Sequence, residues 1–368
     1  MSSPGRIVFL FRKFDINKGD ITIHIAIYAL TSFGISAIII PLVIMLCKKQ
    51  GWYDTINVRK VHSGSIPRLG SLGFVPVFLA VSLLYLGGMH GELLVEYLPL
   101  VGAGSLVFLI GLIDDFYELS ARIKLIGQCI AGVIPVIFGF HITQVGPLHL
   151  GFLGPLITFF WIIGIINAFN LIDGVDALCG SLSLSIMLTA GIVLIVGGSE
   201  YSSLPFILGG TIAGFLVYNK PKAKIFMGDG GSQFLGFFIA VLPLLRTSDP
   251  VEYNLFLMMI VIASIPILDT FAAMWRRTRE KRSFFSPDKM HLHHKLINMG
   301  YTTKSILGFL LIIQTGLCGL SLIAVIWIEN FRGFIILCGA FAAMIIFFTI
   351  IHYTNRAVAR MQAKHAKD

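Results

Sequence analysis

Two adjacent carboxylates, Asp114 and Asp115, occur in the stretch GLIDDFYE at positions 111–118. They follow an apolar run, and acids so near hydrocarbon are costly unless they have a use. Carboxylate oxygens suit hard cations, so the pair indicates Mg²⁺ or phosphate-transfer chemistry. The alternative is an ordinary pair of solvated loop acids. Lys124 follows closely, and its simplest role is to reach the membrane interface with its ammonium group.

A second polar stretch, NAFNLIDGVDA at 167–177, places Asn170, Asp173 and Asp176 three residues apart among apolar neighbours. It contains no Lys or Arg that could pair with the two acids. Acids without local partners indicate a bound cation or a basic neighbour. The alternative, a helix that ends at Gly174, explains the glycine but not the spacing of the acids.

A glycine-rich stretch, KIFMGDGGS at 224–232, includes Phe226 and Asp229 and precedes an apolar run. A glycine-rich turn that opens a helix presents free backbone N–H groups to phosphate. Asp229 could hold a metal that the phosphates share. The same letters also fit a simple tight turn, and the stretch lacks the Gly-Lys-Ser/Thr of a Walker A loop.

Two basic regions complete the set. The region from 275 to 295 contains a cluster of arginines that includes Arg279, followed by His291, His293 and His294. These histidines could bind a metal or donate to phosphate, and the alternative is a solvated cluster. The arginines could equally bind lipid headgroups. The stretch RKVHSGSIPRLG at 59–70 contains Lys60 and indicates either a diphosphate clamp or simple anchoring at the membrane.

The elements that must position these residues are membrane-spanning helices. The chain has 368 residues, of which 56% are hydrophobic and 13% charged, with a mean hydropathy of +0.86. A soluble domain carries about 25% charged residues. The composition therefore predicts an all-α polytopic membrane protein, and we treat residues 1–368 as one domain. The five cysteines form no CxxC pair, so a disulfide framework or cysteine metal site is not expected.

Apolar runs of suitable length predict about eleven transmembrane helices. Their approximate ranges are 22–46, 71–88, 96–113, 123–140, 152–169, 178–197, 203–218, 232–246, 254–275, 305–328 and 333–353. One of the two alternating sets of loops, together with Lys124 just past one of them, carries 22 of the 28 Lys and Arg residues. The same set holds most of the residues singled out above. Basic loops stay in the cytoplasm. This predicts an external N-terminus, a cytoplasmic C-terminus and a cytoplasmic active site, and it accounts for the net charge of +9 without nucleic acid.

The motifs RKVHSGSIPRLG, GLIDD, NAFNLIDGVD, KIFMGDGGS and SPDKMHLHH occur in this order on the predicted cytoplasmic side. In this combination the chain resembles the bacterial polyprenyl-phosphate N-acetylhexosamine-1-phosphate transferases. That family belongs to the same superfamily as the phospho-MurNAc-pentapeptide translocase. Its members start O-antigen, common-antigen and teichoic-acid-type glycans at the cytoplasmic membrane. The resemblance implies transfer of a sugar 1-phosphate from a UDP-N-acetylhexosamine, most simply UDP-GlcNAc, to polyprenyl phosphate with release of UMP.

The resemblance also implies roles for single residues. Asp229 resembles a ligand of Mg²⁺, for which Mn²⁺ could substitute, and Phe226 resembles the residue that stacks on uracil. Our catalytic candidates are Asp114, Asp115, Asp173 and Asp176. Our substrate-binding candidates are Lys60, Lys124, Asn170, Asn219, Phe226, Arg279, His291, His293 and His294. The expected partners are the two substrates and the membrane, with a homodimer as one option for the assembly.

Two other classes of protein remain open from the residues alone. A transporter needs polar groups in mid-span, and Asp269 is the main acid near the membrane that could meet this need. A lipid-binding scaffold would not need the acidic motifs.

Overall fold

A computed structural model of the chain describes residues 17–53, 66–89, 91–247, 249–283 and 290–365. These ranges contain thirteen α-helices and one short β-hairpin. The helices of the first half are α1 (Asn17–Gln50), α2 (Ser71–Met89), α3 (Gly91–Tyr117), α4 (Ala121–Ile137), α5 (Leu153–Ile172) and α6 (Leu178–Val196). Those of the second half are α7 (Leu204–Asn219), α8 (Gly228–Val241), α9 (Asp249–Ile262), α10 (Ser264–Arg279), α11 (Leu292–Asn298), α12 (Thr303–Leu322) and α13 (Asn330–His365).

The hairpin pairs β1 (Gln144–Val145) with β2 (Leu148–His149) in antiparallel fashion, a detail that the apolar pattern does not predict. The outer faces of the bundle are apolar: Leu30 and Phe152 are among many large exposed hydrophobic side chains. Such a surface is stable against lipid tails and not against water. The prediction of an all-α polytopic membrane protein is therefore confirmed.

The predicted count of eleven spans is not confirmed. Among the described residues, seven helices are long and apolar enough to cross a bilayer, or eight if the bent pair α9–α10 is one span. Three of the predicted runs form α4, α7 and α8, of 17, 16 and 14 residues. At about 1.5 Å per residue these helices are about 21–26 Å long, shorter than the roughly 30 Å of hydrocarbon in a bilayer.

The centre of the bundle is α8, whose residues from Gly230 to Val241 are all buried. A helix that is hydrophobic on every side is stable only when other helices surround it, and α8 packs mainly against α3 and α5. Glycines permit this close approach. A Cβ at Gly111 of α3 would lie 2.6 Å from the Gly230 backbone, and a Cβ at Gly236 of α8 would lie 2.7 Å from Cα of Ile166.

A bend of 62° separates α9 from α10. Pro266 has no N–H group to bond the carbonyl of Ile262 four residues earlier. That carbonyl instead accepts a hydrogen bond of 2.9 Å from the side-chain amide of Gln314 on α12. The proline and its substitute partner together explain why one predicted apolar run, 254–275, forms two helices.

Candidate active site

Acidic residues from three helices meet at one end of the bundle. Asp114 lies in the last turn of α3, Asp229 in the first turn of α8, and Asp173 just after the end of α5. The glycine contact between α3 and α8 sets this arrangement, because Gly111 is one helical turn before Asp114 and Gly230 follows Asp229. Acids from separate sequence motifs therefore form one cluster.

Lys124 lies between two of these acids. Its ammonium group is 2.9 Å from Oδ2 of Asp114 and 3.2 Å from Oδ2 of Asp229. The backbone N–H of Leu119 donates to the other oxygen of Asp114 at 2.7 Å. About a quarter of the Lys124 and Asp229 side chains is accessible, whereas Asp114 is almost fully buried. Lys124 therefore belongs to the acid cluster and does not reach away from it toward the lipid interface.

Asp115 is held differently from Asp114. Its Oδ1 accepts from Nη2 of Arg68 at 2.9 Å and from the backbone N–H of Asp229 at 2.9 Å, and its Oδ2 accepts from the N–H of Gly230 at 3.1 Å. The side chain has no exposed surface. The carboxylate thus binds the N-terminus of α8, where anions are favoured. The sequence predicts a catalytic acid for Mg²⁺ or phosphate-transfer chemistry at this position, and the structure places the carboxylate in the interior.

The second motif continues the cluster through Asp173 and Asn170. Burial, followed by the nearby carboxylates of Asp229, Asp115 and Asp176, raises the pKa of Asp173 to about 8. Asn170 donates from its side-chain amide to Oγ of Ser232 at 3.0 Å. Near neutral pH Asp173 therefore holds its proton, and it can bind a cation only in its deprotonated form. Its catalytic role remains a prediction.

Asp176, Asn219 and Phe226 lie around the loops beside the cluster. Asp176 accepts from the N–H of Ala223 at 3.0 Å, and Asn219 donates to the carbonyl of Ile225 at 2.7 Å. Asn219 also accepts from the N–H of Ala177 at 2.9 Å, at a residue with a positive φ of 63°. These hydrogen bonds stabilise the loop after α5 and the loop between α7 and α8. The catalytic role of Asp176 and the substrate-binding roles of Asn219 and Phe226 remain predictions.

The histidine segment, residues 291–294 at the start of α11, lies beside the cluster. The imidazole of His293 packs against Gly174, where a Cβ would lie 2.8 Å from the ring. His291 and His293 are stacked, with centroids 6.1 Å apart and planes 7° from parallel. Burial, followed by the charge of His294, lowers the pKa of His293 to about 4, so His293 is neutral at pH 7. The structure thus brings the histidines next to the Asp173 loop.

Asp269, the acid that kept a transporter open as an alternative, contacts this same segment. Its Oδ2 lies 3.1 Å from Nδ1 of His291, and its Oδ1 accepts from the N–H of Leu292 at 2.8 Å. It supports the histidine segment and does not line a path through the middle of the membrane. The main sequence feature that favoured a transporter therefore has another role.

Two other predicted residues are not part of the cluster as the structure describes it. Arg279 is exposed in the last turn of α10, with no described contact to the acids. Lys60 lies outside the described residues. The sequence interpretation missed Arg68, although it is part of the quoted RLG motif, because its partner Asp115 is 47 positions away.

Sequence reasoning also missed a buried polar network beneath the acids. The side-chain amide of Asn167 donates to Oε1 of Gln128 at 2.7 Å, and the amide of Gln128 donates to Oε1 of Gln233 at 3.0 Å. The network joins α5, α4 and α8, which are three of the helices that carry site residues. Isolated Gln and Asn residues in apolar runs were the available signal, since polar groups buried there usually bond across helices.

A divalent cation fits the chemistry of this site. The described residues contain no group of three or more His, Cys, Asp and Glu side chains arranged as a metal site. Mg²⁺, however, is usually held by one or two carboxylates together with water and substrate phosphates. Asp114 and Asp229 already share one cation, the Lys124 ammonium, which lies 2.9 Å from one carboxylate and 3.2 Å from the other. Their oxygens are the donor type that Mg²⁺ prefers.

An apolar cleft of about 290 Å³ opens between α5 and α10. Its lining includes Trp161, Gly164 and Ala168 on α5, with Phe271 and Met274 on α10. Ala168 is the lining residue nearest in sequence to the acids, five residues before Asp173. A cleft of this kind suits a hydrocarbon chain.

Comparison with known proteins identifies the family. Residues 97–247 match the model of glycosyl transferase family 4. The chain is 34% identical to a probable undecaprenyl-phosphate N-acetylglucosaminyl 1-phosphate transferase of Bacillus subtilis, over 86% of this chain and 90% of that protein. It is 31% identical to the undecaprenyl-phosphate alpha-N-acetylglucosaminyl 1-phosphate transferase of Escherichia coli K12, over 70% and 72%. It is also 32% identical to the decaprenyl-phosphate N-acetylglucosaminephosphotransferase of Mycobacterium tuberculosis H37Rv, over 77% and 78%.

The fold and the site together define a polytopic membrane enzyme whose carboxylates and cations gather at one end of a helix bundle. More particularly, the chain belongs to the polyprenyl-phosphate N-acetylglucosamine-1-phosphate transferases of glycosyl transferase family 4. The resemblance drawn from the five sequence motifs is confirmed.

Proposed function

We propose that the protein transfers N-acetylglucosamine 1-phosphate from UDP-N-acetylglucosamine to polyprenyl phosphate and releases UMP. The observation that carries this proposal is the joining of three acidic motifs into one cluster, in which Lys124 bridges Asp114 and Asp229 and Asp173 lies near the other acids. The names of the three relatives support both the sugar phosphate and the lipid phosphate. The product is the first lipid-linked sugar of a cell-envelope glycan.

In this reaction an oxygen of the lipid phosphate attacks the phosphorus that carries the sugar. The bond from that phosphorus to the oxygen bridging the two phosphates breaks, and this oxygen leaves with UMP. A phosphate monoester has a second pKa near about 6, so the attacking group is already mostly a dianion at neutral pH. The main barrier is therefore the repulsion between two anionic substrates.

The residues of the chain address that repulsion directly. Lys124 places a cation between Asp114 and Asp229, next to where the phosphates would meet. Asp229, with Asp114 or Asp173, would hold a Mg²⁺ or Mn²⁺ ion, which when bound supplies positive charge to the phosphates. Asp115 keeps the N-terminus of α8 and Arg68 in position for the same purpose.

The apolar cleft between α5 and α10 gives the lipid a route to the site. We infer that the polyprenyl chain lies along Trp161 and Phe271, with its phosphate toward the acids. We infer that Phe226 stacks on uracil, since it lies at the edge of the phosphate-binding turn and keeps part of its surface accessible.

We also propose that the acid cluster faces the cytoplasm of a bacterium, where UDP-sugars are made. The excess of Lys and Arg in the loops at that end supports this orientation. The N-terminus is then external and the C-terminus cytoplasmic.

The test is UMP release by purified protein with polyprenyl phosphate, Mg²⁺ and a panel of UDP-sugars. We expect UMP from UDP-N-acetylglucosamine, and none when the lipid or the divalent cation is omitted. Lys124→Ala should abolish release. Glu252→Gln should not affect it, because Glu252 bonds Thr143 at the opposite end of the bundle. Lipid-dependent UMP release from a different UDP-sugar alone would refute the assignment of N-acetylglucosamine.

A further inference from the structure

We propose that Asp269 is a positioning residue that fixes the orientation and the tautomer of His291. The inference rests on the proposed function, because the group that His291 is expected to meet is a substrate phosphate. None of the five sequence motifs contains Asp269, which the sequence analysis considered only as the main acid near the membrane that a transporter could use.

The geometry places both oxygens of Asp269 on the histidine segment. Oδ2 lies 3.1 Å from Nδ1 of His291, and Oδ1 accepts from the N–H of Leu292 at 2.8 Å. Two per cent of the Asp269 side chain is exposed, and 7% of the His291 side chain. A buried carboxylate is costly unless hydrogen bonds and opposite charge compensate it, and these two contacts supply the compensation among the described residues.

The bend in the chain makes this contact possible. Asp269 lies six residues after the break that follows Ile262, and the 62° turn of α10 directs the helix differently from α9. Asp269 therefore joins α10 to α11 at the point where the histidine segment begins. The bond to Leu292 satisfies one of the free N–H groups at the start of α11.

The contact determines which nitrogen of His291 faces away from Asp269. An ionised carboxylate only accepts hydrogen bonds, so Nδ1 must carry a proton, and this tautomer follows from the network. Nε2 is then the atom left to meet another group. A carboxylate that orients a histidine in this way is a common second partner of catalytic and ligand-binding imidazoles.

His291 contacts the loop of Asp173 through His293. The ring of His291 is stacked with His293 at 7° from parallel, and His293 packs against Gly174 beside Asp173. The charged and titratable groups that interact with His293 are Asp269, His291 and His294. Moving His291 would therefore disturb the contact between the histidine segment and the Asp173 loop.

The competing explanation is that Asp269 only anchors the loop through Leu292. Asp269→Asn separates the two explanations. The Asn carbonyl oxygen can still accept from the Leu292 N–H, so the anchor is kept. The Asn amide would present N–H groups to Nδ1, which reverses the hydrogen bond, moves the ring proton to Nε2 and removes the negative charge.

A double-mutant cycle tests the proposal. Asp269→Asn should lower kcat at least tenfold when His291 is present, and less than threefold in a His291→Asn background, because it acts through His291. Apparent Tm should be similar for all four proteins. Glu252→Gln, an equivalent acid-to-amide change on α9 at the other end of the bundle, should leave kcat unchanged in both backgrounds.

Equal losses of kcat in both backgrounds would overturn the proposal in favour of a loop anchor. If His291→Asn alone is as active as the unmodified protein, the inference fails while the proposed function stands. If the unmodified protein releases no UMP, the proposed function fails instead.

A measurement independent of activity then decides whether Asp269 controls His291. Deuterium exchange at C2 of the His291 ring, followed by mass spectrometry, should change severalfold in Asp269→Asn. Exchange at His24 and His352 should not change. An unaltered His291 rate would overturn the inference.

Discussion

Asp115 and Asp229 are neighbours in space, yet their surroundings give them different tasks. Asp115 is fully enclosed and accepts hydrogen bonds from Arg68 and from two backbone N–H groups of α8. Asp229 keeps about a quarter of its side chain accessible and contacts Lys124. One acid is placed to hold the site together, and the other is placed to meet a ligand.

The first prediction follows from this difference. Asp115→Asn would turn an amide N–H toward groups that are themselves donors. Leaving a buried donor unsatisfied costs about 1–3 kcal/mol, so apparent Tm and turnover should both fall. Asp229→Asn should keep the Tm but weaken the Mg²⁺ response and lower turnover. Mg²⁺ titrations and melting curves on the same preparations check both variants. A normal Mg²⁺ dependence in Asp229→Asn would show that the metal assignment is wrong.

The second prediction concerns the pH dependence of stability through Asp173. The pKa of this carboxyl is raised to about 8 in the folded protein, from an unfolded value near about 3.9. The folded state therefore holds a proton that the unfolded state has lost, and stability falls as pH rises between these two values. Without divalent cations, apparent Tm should fall between pH 6 and 8, and by less in Asp173→Asn.

The control for this prediction is the difference between the two proteins at each pH, which removes the contribution of every other titrating group. The Tm of Asp173→Asn should exceed that of the unmodified protein most at pH 8 and above. A constant difference from pH 6 to pH 9 would contradict the raised pKa.

At the scale of elements, the sequence predicted where helices occur better than how they end. Each of the eleven apolar runs corresponds to a described helix or to the bent pair. The pattern could not show that the run 254–275 breaks, because the cause is the pairing of the Ile262 carbonyl with Gln314, 52 residues away. It also could not show where α4 and α8 end, since apolar composition continues to 140 and 246, beyond Ile137 and Val241. The shortness of α7 was visible, because the predicted run 203–218 is no longer than the helix.

The sequence likewise predicted the residue types of the candidate site but not the contacts between them. Local motifs identified the acids and the histidines, because these residue types are unusual beside apolar runs. Their partners came from distant parts of the chain, and no local pattern specified them. Arg68 on Asp115 and Asp269 on His291 are both contacts of this kind.

The third prediction tests the glycine contact that joins α3 to α8. Gly111→Ala would place a methyl group 2.6 Å from the Gly230 backbone, so the helices must move apart and Asp114 must move away from Asp229. We expect a lower apparent Tm and at least a tenfold loss of UMP release. The matched control is Gly102→Ala on the same helix, where the added methyl group would have no neighbouring atom within 4 Å.

Alanine is favoured over glycine inside a helix by up to about 1 kcal/mol, so Gly102→Ala should be neutral or slightly stabilising. Equal behaviour of the two variants would show that close approach at Gly111 does not determine the geometry of the acid cluster.

At the scale of the whole molecule, the two ends of the bundle differ in chemistry. One end holds the acid cluster, Lys124, Arg68 and the histidine segment. The other end holds the β-hairpin and the ion pair between Arg246 and Glu96 at 2.9 Å. A lipid phosphate and a soluble nucleotide can meet only where a membrane surface and the substrate pool adjoin. The first end must therefore face the compartment that supplies the nucleotide.

The last prediction determines which compartment that is. Glu92 begins α3 at the hairpin end, and Lys222 lies between α7 and α8 at the acid-cluster end; both are exposed. Cys338 is exposed as well, so the measurement uses a Cys338→Ser background. Because 22 of the 28 Lys and Arg residues belong to the loops of the acid-cluster end and to Lys124 beside them, that end should be cytoplasmic. A membrane-impermeant maleimide should label Glu92→Cys in intact cells and Lys222→Cys only after permeabilisation. The reverse pattern would place the acid cluster outside, away from UDP-sugars, and would refute both the orientation and the proposed nucleotide substrate.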